Sequence, residues 1–391
     1  MRILLGGDTY YPHVNGNSYF TQRLAASLLA RGHEVHVLAP SRRMRPEHFQ
    51  HNGVRVHGCG SLPLVSHRPI RFSPYPCCVG HITEVVRSTQ PDVIHCQSHL
   101  FVGRALLEAA KRAGIPSVAT NHFMPINLTV HLPVGDGLRS AIEKLAWRDL
   151  VSVYGSADVV TAPSNVAAEM LGRVGLGKKV LSISCGVDVE RFRPMTVKRR
   201  RATVKPGCLY VGRLEKEKNV HHLIHALSIV RRRVDAELVI VGSGSQRYSL
   251  ERLADSLGVK DCVVFKGFVP DSEMPNIYSC TDVFCNPSGA ELLSLATLEA
   301  MASGKPVVAA DSAALPEVVR NGVNGLLFTL GDIGNLSEVL TCLLMNPSKC
   351  SEMGRQGRNI AMLHDNEMCI DAYEELYETL TAVSELRDKV V

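Results

Sequence analysis

Residues 208–230 read CLYVGRLEKEKNVHHLIHALSIV. Cys208 to Val211 is a short apolar run of strand type. The charged loop Gly212–Asn219 follows, and from Val220 to Val230 apolar residues recur at helical spacing. Strand, loop and helix in that order form the repeating unit of a parallel sheet, because a parallel partner strand is reached only through a crossover.

The same unit recurs on both sides. Upstream, Ile3–Leu5, Glu34–Ala39, Val54–Val56, Val93–His95, Ser117–Thr120 and Val159–Thr161 are strand candidates. Helical patterns run through Leu24, Ala25, Leu28 and Leu29, through Leu106, Leu107, Ala110 and Ala113, and from Ser164 to Leu171. Downstream, Glu237–Val241, Val263–Phe265, Val283–Cys285, Pro306–Ala309 and Gly325–Phe328 read as strands, with helices at Leu250–Leu257 and Leu295–Ala302. Between the two runs lies a stretch without apolar periodicity, containing Lys198-Arg199-Arg200-Arg201. The expected fold is therefore α/β, with two Rossmann-like parallel-sheet domains in tandem: residues 1–188, a linker at 189–206, and residues 207–371. Ligands of such sheets bind outside the carboxyl ends of the strands, so two sheets facing across a cleft would line it with those loops. A polar-amphipathic helical tail starts near Asp365 and carries Tyr373, Leu376, Tyr377 and Leu380 on one side.

Composition limits the function classes. The chain has 391 residues, 45% hydrophobic and 21% charged, which suits two ordinary cores. A net charge of +5 is far below that of a dedicated nucleic-acid binder but permits anionic small molecules or an anionic membrane surface. The 12 cysteines are scattered without any Cys-x-x-Cys, so they read as reduced thiols, and no metal site is expected. The apolar run at the N-terminus is short for a signal peptide, and no 18-residue apolar run occurs. The expected location is cytoplasmic.

Five strand ends carry candidate chemistry. In the first loop, Gly16 stands just before a helix, where its backbone could approach an anion. In the loop 212–219, Arg213 offers a bidentate fork and Lys218 a compact charge, a pair suited to a diphosphate or to a merely solvated loop. Gly242-Ser243-Gly244 starts like a dinucleotide fingerprint, but Arg247 stands where the third glycine belongs, so it reads as a tight turn. In Pro287–Pro306, Glu291 precedes a helix that Ser294 could cap, and backbone amides near Leu293 and Ser294 could hold phosphate. Glu299 falls about two turns inside that helix and could equally be a surface residue. His122, after Thr120-Asn121, could donate a hydrogen bond to a hydroxyl or a developing charge, whereas His95 and His99 read as structural.

Together these residues resemble the GT-B glycosyltransferases, specifically the large retaining family four, over nearly the whole chain. The most specific likeness is the Glu-x7-Glu motif, Glu291 and Glu299, within Ser-Gly-Ala-Glu…Leu-Glu-Ala-Met-Ala-Ser-Gly-Lys-Pro-Val-Val. Gly212-Arg213-Leu214…Lys218-Asn219, Gly186-Val187-Asp188…Phe192…Pro194 and Gly325-Leu326-Leu327 support it.

The resemblance implies that Arg213 and Lys218 bind the donor diphosphate and that Gly16 presents its amide to the distal phosphate. Glu291 would hold the donor sugar hydroxyls, Glu299 the ribose, and His122 would face the sugar. It also implies a C-terminal helix, about 372–391, returning to the first domain, retention of configuration and no metal requirement. Three departures stand out: Asn17 where a second glycine is frequent, Cys185 before Gly-Val-Asp, and Leu292-Leu293 in place of Gly-Phe.

The expected reaction is transfer of mannose or glucose from a GDP or UDP sugar to an acceptor. The apolar stretch from Phe123 to Pro133, the helix carrying Leu138, Leu145 and Trp147, and the basic residues Arg139, Lys144 and Arg148 favour a lipid acceptor at the inner membrane surface. A soluble sugar acceptor, a sugar-nucleotide epimerase and a non-catalytic sugar-nucleotide binder are the alternatives.

Overall fold

The computed structural model describes residues 1–12, 15–64, 67–130, 134–195 and 205–388. Its strands are β1 (Arg2–Gly6), β2 (Glu34–Pro40), β3 (Glu47–His51), β4 (Val54–Cys59), β5 (Leu62–Leu64), β6 (His67–Phe72), β7 (Val93–Cys96), β8 (Ser117–Thr120), β9 (Val159–Ala162), β10 (Val180–Ser182), β11 (Gly207–Val211), β12 (Glu237–Val241), β13 (Val263–Gly267), β14 (Val283–Asn286), β15 (Val307–Ala310) and β16 (Gly325–Phe328).

They fall into two compact units. The first comprises Met1–Pro125, Val134–Ser184 and Cys369–Val391; the second comprises Ile126–Pro133 and Cys185–Met368. The first sheet runs β10-β9-β8-β7-β1-β2-β4-β3, parallel except for the antiparallel edge pair β3–β4. The second runs β13-β12-β11-β14-β15-β16 and is parallel throughout. Strands β5 and β6 form a separate hairpin. Continuous Val, Ile, Leu and Ala runs make the central strands, since helices cover both faces of a parallel sheet. Every residue of β7, β8, β14 and β15 is buried accordingly.

Each sheet has one point where the strand order reverses, between β1 and β7 in the first and between β11 and β14 in the second. Loops leaving paired strands in opposite directions open a crevice at such a point, and ligands of doubly wound sheets collect there.

The second unit begins earlier in the chain than the sequence suggests. Val187, Val189 and Phe192, which the sequence assigns to the end of the first domain and the linker, are buried in the second core. Their short apolar spacing looks like linker because it belongs to no strand or helix. The basic run Lys198–Arg201 lies outside the described residues.

The terminal helix Asn366–Asp388 is fixed to the first unit by a buried polar network. His95 engages Tyr377 through Nδ1 at 2.5 Å and Thr120 through Nε2 at 2.6 Å. Thr120 also meets Thr161 at 2.6 Å and Tyr373 at 3.2 Å. Both ring nitrogens of His95 are used, and burial holds its pKa well below the usual histidine range.

Candidate functional site

In the second unit, the loops leaving β11 and β14 flank the strand-order reversal, and they carry Arg213, Lys218 and Glu291. The β11 loop is packed against the loop leaving β12. Leu214 N–H donates to Ser243 O at 2.9 Å, and Gln246 N–H donates to Leu214 O at 2.9 Å. Gly242 has φ +129°, and a Cβ there would lie 1.9 Å from Gly212 O. The glycines of Gly242-Ser243-Gly244 thus serve backbone-to-backbone packing.

Two buried glutamates shape the charged loop. Glu215 accepts from the amide and hydroxyl of Ser245 at 3.1 and 2.6 Å. Glu217, in the 3-10 turn Lys216–Lys218, accepts from Arg213 Nη2 at 2.9 Å. Asn219 takes the left-handed conformation at φ 50°, which ends the turn and starts the helix Val220–Val230. Its side-chain amide donates to Pro287 O at 3.3 Å, joining the β11 loop to the β14 loop.

Across that junction Lys218 Nζ meets Glu291 Oε1 at 2.7 Å, with both side chains about 14% exposed or less. The pairing is charge-assisted and well shielded. Ser294 is the N-cap of the helix Leu295–Ala302 and accepts from Thr297 N–H at 3.2 Å. Asn286, the last residue of β14, donates to both Ser294 Oγ and Thr297 Oγ1, so the helix start is fixed to the strand end. Leu293, half-buried, packs against the core just before this cap. Glu299 sits one and a half turns inside the helix and accepts from the buried Tyr278 hydroxyl at 2.8 Å. Arg213, Lys218, Glu291, Leu293 and Ser294 therefore share the carboxyl end of one sheet, with Glu299 farther along the same helix.

The first unit offers a different chemistry at its own reversal. Asp8, just past β1, accepts from Val102 N–H at 2.9 Å and from Ser98 Oγ at 2.5 Å. It thereby caps the helix Phe101–Ala113, and burial raises its carboxyl pKa above the ordinary value. His122 follows β8; its Nε2 lies 2.9 Å from Gln97 Oε1, and Phe20 packs against the ring at 5.0 Å. Desolvation lowers its pKa to about 3, so the imidazole is neutral at physiological pH. Gln97 Nε2 is buried and has no hydrogen-bond partner among the described residues.

Gly16 opens the helix Gly16–Ala30, capped by Asn15, whose side chain accepts from Ser18 N–H. Geometry leaves the first amides of that helix without an intrahelical acceptor. Among the described residues, a Cβ on Gly16 would meet nothing within 4 Å, so their packing does not demand glycine there. Asn17 lies in the helix, and its Nδ2 donates to Gln97 O at 3.0 Å, fixing the helix start to the end of β7.

Sequence reasoning missed Glu215, Glu217, Gln97 and the capping role of Asp8. In a loop of alternating lysine and glutamate, nothing local marks which carboxylates turn inward. No group of three or more metal-ligating side chains is disposed to hold an ion among the described residues.

Two family models match consecutive parts of the chain: Glycosyltransferase Family 4 over residues 14–191 and Glycosyl transferases group 1 over residues 196–360. A GDP-mannose-dependent alpha-mannosyltransferase of Mycolicibacterium smegmatis is 32% identical, over 84% of this chain and 84% of its own. A GDP-mannose-dependent alpha-(1-6)-phosphatidylinositol monomannoside mannosyltransferase from the same organism is 30% identical, over 92% and 94%. An alpha-monoglucosyldiacylglycerol synthase of Streptococcus pneumoniae is 26% identical, over 89% and 79%. Among solved structures, sucrose-phosphate synthase from Thermosynechococcus elongatus superposes with a TM-score of 0.80 at 22% identity, covering 98% of this chain and 99% of that one. Anabaena HepE in complex with UDP gives 0.76 at 21%, covering 97% and 100%. The two parallel sheets, the order of the motifs along them and these matches over most of the chain place it in the group 1, family 4 glycosyltransferases of GT-B fold.

Proposed function

We propose that this chain transfers a mannosyl residue from GDP-mannose to a membrane lipid, with retention of configuration and without a metal ion. The observation that carries the reading is the clustering of Arg213, Lys218 and Glu291 with the capped start of the helix Leu295–Ala302 at the reversal of one sheet. The names of the mannosyltransferase relatives favour GDP-mannose, and UDP-glucose, held in a complex of Anabaena HepE, is the second donor.

Breaking the sugar–phosphate bond develops negative charge on the diphosphate and positive charge on the sugar. Arg213, Lys218 and helix amides near Leu293 and Ser294 would stabilise the diphosphate charge, preorganised donors being worth most where water is excluded. Glu291 would hold sugar hydroxyls, and Glu299 the ribose. Gly16 would present its amide to the distal phosphate. His122, neutral and joined to Gln97 through Nε2, would face the sugar as an uncharged hydrogen-bonding group rather than carry charge. Attack from the face of the departing phosphate lets that phosphate accept the acceptor's proton, so no side-chain base is needed.

The lipid acceptor is supported by the helix Asp136–Tyr154, whose Leu138 and Leu145 are 57% and 67% exposed beside the exposed Lys144 and Arg148. An apolar row with basic neighbours suits an anionic interface. Among the described residues no helix is long and apolar enough to cross a membrane, so association would be peripheral.

The test is turnover of GDP-mannose and UDP-glucose with EDTA present, using phosphatidylinositol or diacylglycerol vesicles, or a soluble sugar, as acceptor. The reading requires GDP released only with vesicles and an α-linked lipid product. A β-linked product, loss of turnover in EDTA, or transfer only to the soluble sugar would overturn its respective part.

A further inference from the structure

Glu217 is a buried carboxylate beside a guanidinium meant for phosphate. Its side chain is 2% exposed, whereas that of Arg213 is 47% exposed. An anion there weakens any anionic ligand, so its presence needs a reason. The geometry supplies one. Glu217 accepts from Nη2 of Arg213 at 2.9 Å, which fixes the plane of a side chain that otherwise has several free rotors. The Glu217 backbone carbonyl accepts from Gly289 N–H at 3.4 Å and from Ser288 Oγ at 3.5 Å, in the loop that leads to Glu291. The next residue, Lys218, pairs with Glu291 itself. One residue thus touches the cation on its own loop and the approach to the carboxylate on the other.

We propose that Glu217 is a positioning residue: it holds the Arg213 guanidinium in register with Lys218 so that both cations meet one diphosphate. This rests on the reading of Arg213 as a diphosphate ligand. Ordinary surface pairs four residues apart on a helix contribute little, because both partners are mobile. Here the acid is immobilised and the base exposed, which is the asymmetry expected of a fixed holder and a working group.

The experiment is a double-mutant cycle on the full chain, read as GDP affinity by calorimetry and as donor KM and kcat. Glu217→Ala should weaken GDP binding and raise donor KM at least tenfold, with kcat changed less than threefold. Glu217→Gln, which keeps an acceptor oxygen, should stay within threefold of the parent. In an Arg213→Ala background, Glu217→Ala should add less than a twofold further loss, because its effect runs through the arginine. Arg213→Lys should lose at least tenfold, since it keeps the charge but not the fork; this variant decides the matter if Glu217→Ala does not fold. Equal affinity in Glu217→Ala and the parent, additive losses in the double variant, or full function in Arg213→Lys would overturn the positioning role. If Arg213→Ala itself leaves GDP binding intact, the diphosphate reading fails instead.

Discussion

The two sheet ends of this enzyme carry opposite kinds of polarity. At the second sheet the groups are ionic and already paired: Lys218 with Glu291, Arg213 with Glu217. At the first sheet burial works against charge, pushing the Asp8 carboxyl up and the His122 imidazole down. A surface of paired cations can exchange an internal carboxylate for a ligand's phosphate. A surface of neutral donors and acceptors suits hydroxyl groups. Under the proposed function, the cations of the second unit would carry most of the diphosphate charge, and the first unit would contribute neutral hydrogen-bonding groups, the Gly16 amide among them.

The largest effect expected from breaking the contrast is at Lys218. Lys218→Ala should lower kcat/KM by about 100- to 1,000-fold, the range for losing one preorganised stabilising group. Steady-state kinetics with the nucleotide-sugar donor reads it. A loss below fivefold would mean that the charge of the second unit is not used in turnover.

Acid stability is the next lever. Unfolded imidazoles take up a proton near pH 6.5, whereas in the fold His99 is held down to about 4 and His95 lower than its usual range, both by burial. The unfolded chain therefore binds more protons below pH 6.5. Stability is complete above about pH 7 and declines as pH falls from about 6.5 toward 4. At pH 5.5 His99 alone should cost about 1 kcal/mol, and His95 adds to the loss in the same direction. Both lie in the first unit, while the depressed imidazoles of the second, His221, His222 and His364, are exposed or only half-buried. Hydrogen exchange at pH 7.5 and 5.5 should show protection falling first in β7 and β8.

His122→Ala should reduce kcat about tenfold to a hundredfold, the usual span for a single positioned donor. The parent's pH–rate profile should show no limb near 6 from His122, because the ring does not titrate there. A limb near pH 6 in the parent that vanishes in the variant would place charge on this imidazole and erase the contrast.

Asn17→Gly gives the smallest change. It removes the hydrogen bond to Gln97 O and restores the glycine frequent in the family. Donor KM should move less than fivefold.

The central strands were legible because fully buried parallel strands are unbroken apolar runs, as in Val307–Ala310. The edge strand Glu47–His51 was not, since all its residues but Phe49 are polar and none is fully buried. The helices Ile333–Leu344 and Pro347–Met362 also escaped, the latter because Gly354 and Gly357 face its packing contacts and dilute the apolar pattern. Of the candidate site residues, Arg213, Lys218, Glu291 and Ser294 stand after strands in the fold as their sequence context placed them. Glu217 was not legible, because inward orientation comes from packing against Ser288 and Gly289, which lie about 70 residues away in sequence.

The most direct test is calorimetric titration of GDP in EDTA into the parent chain and the Lys218→Ala variant. The parent Kd should be unaffected by EDTA, and the variant should bind at least tenfold more weakly. Equal affinities in the two proteins, or binding by the parent that EDTA abolishes, would contradict the proposed function.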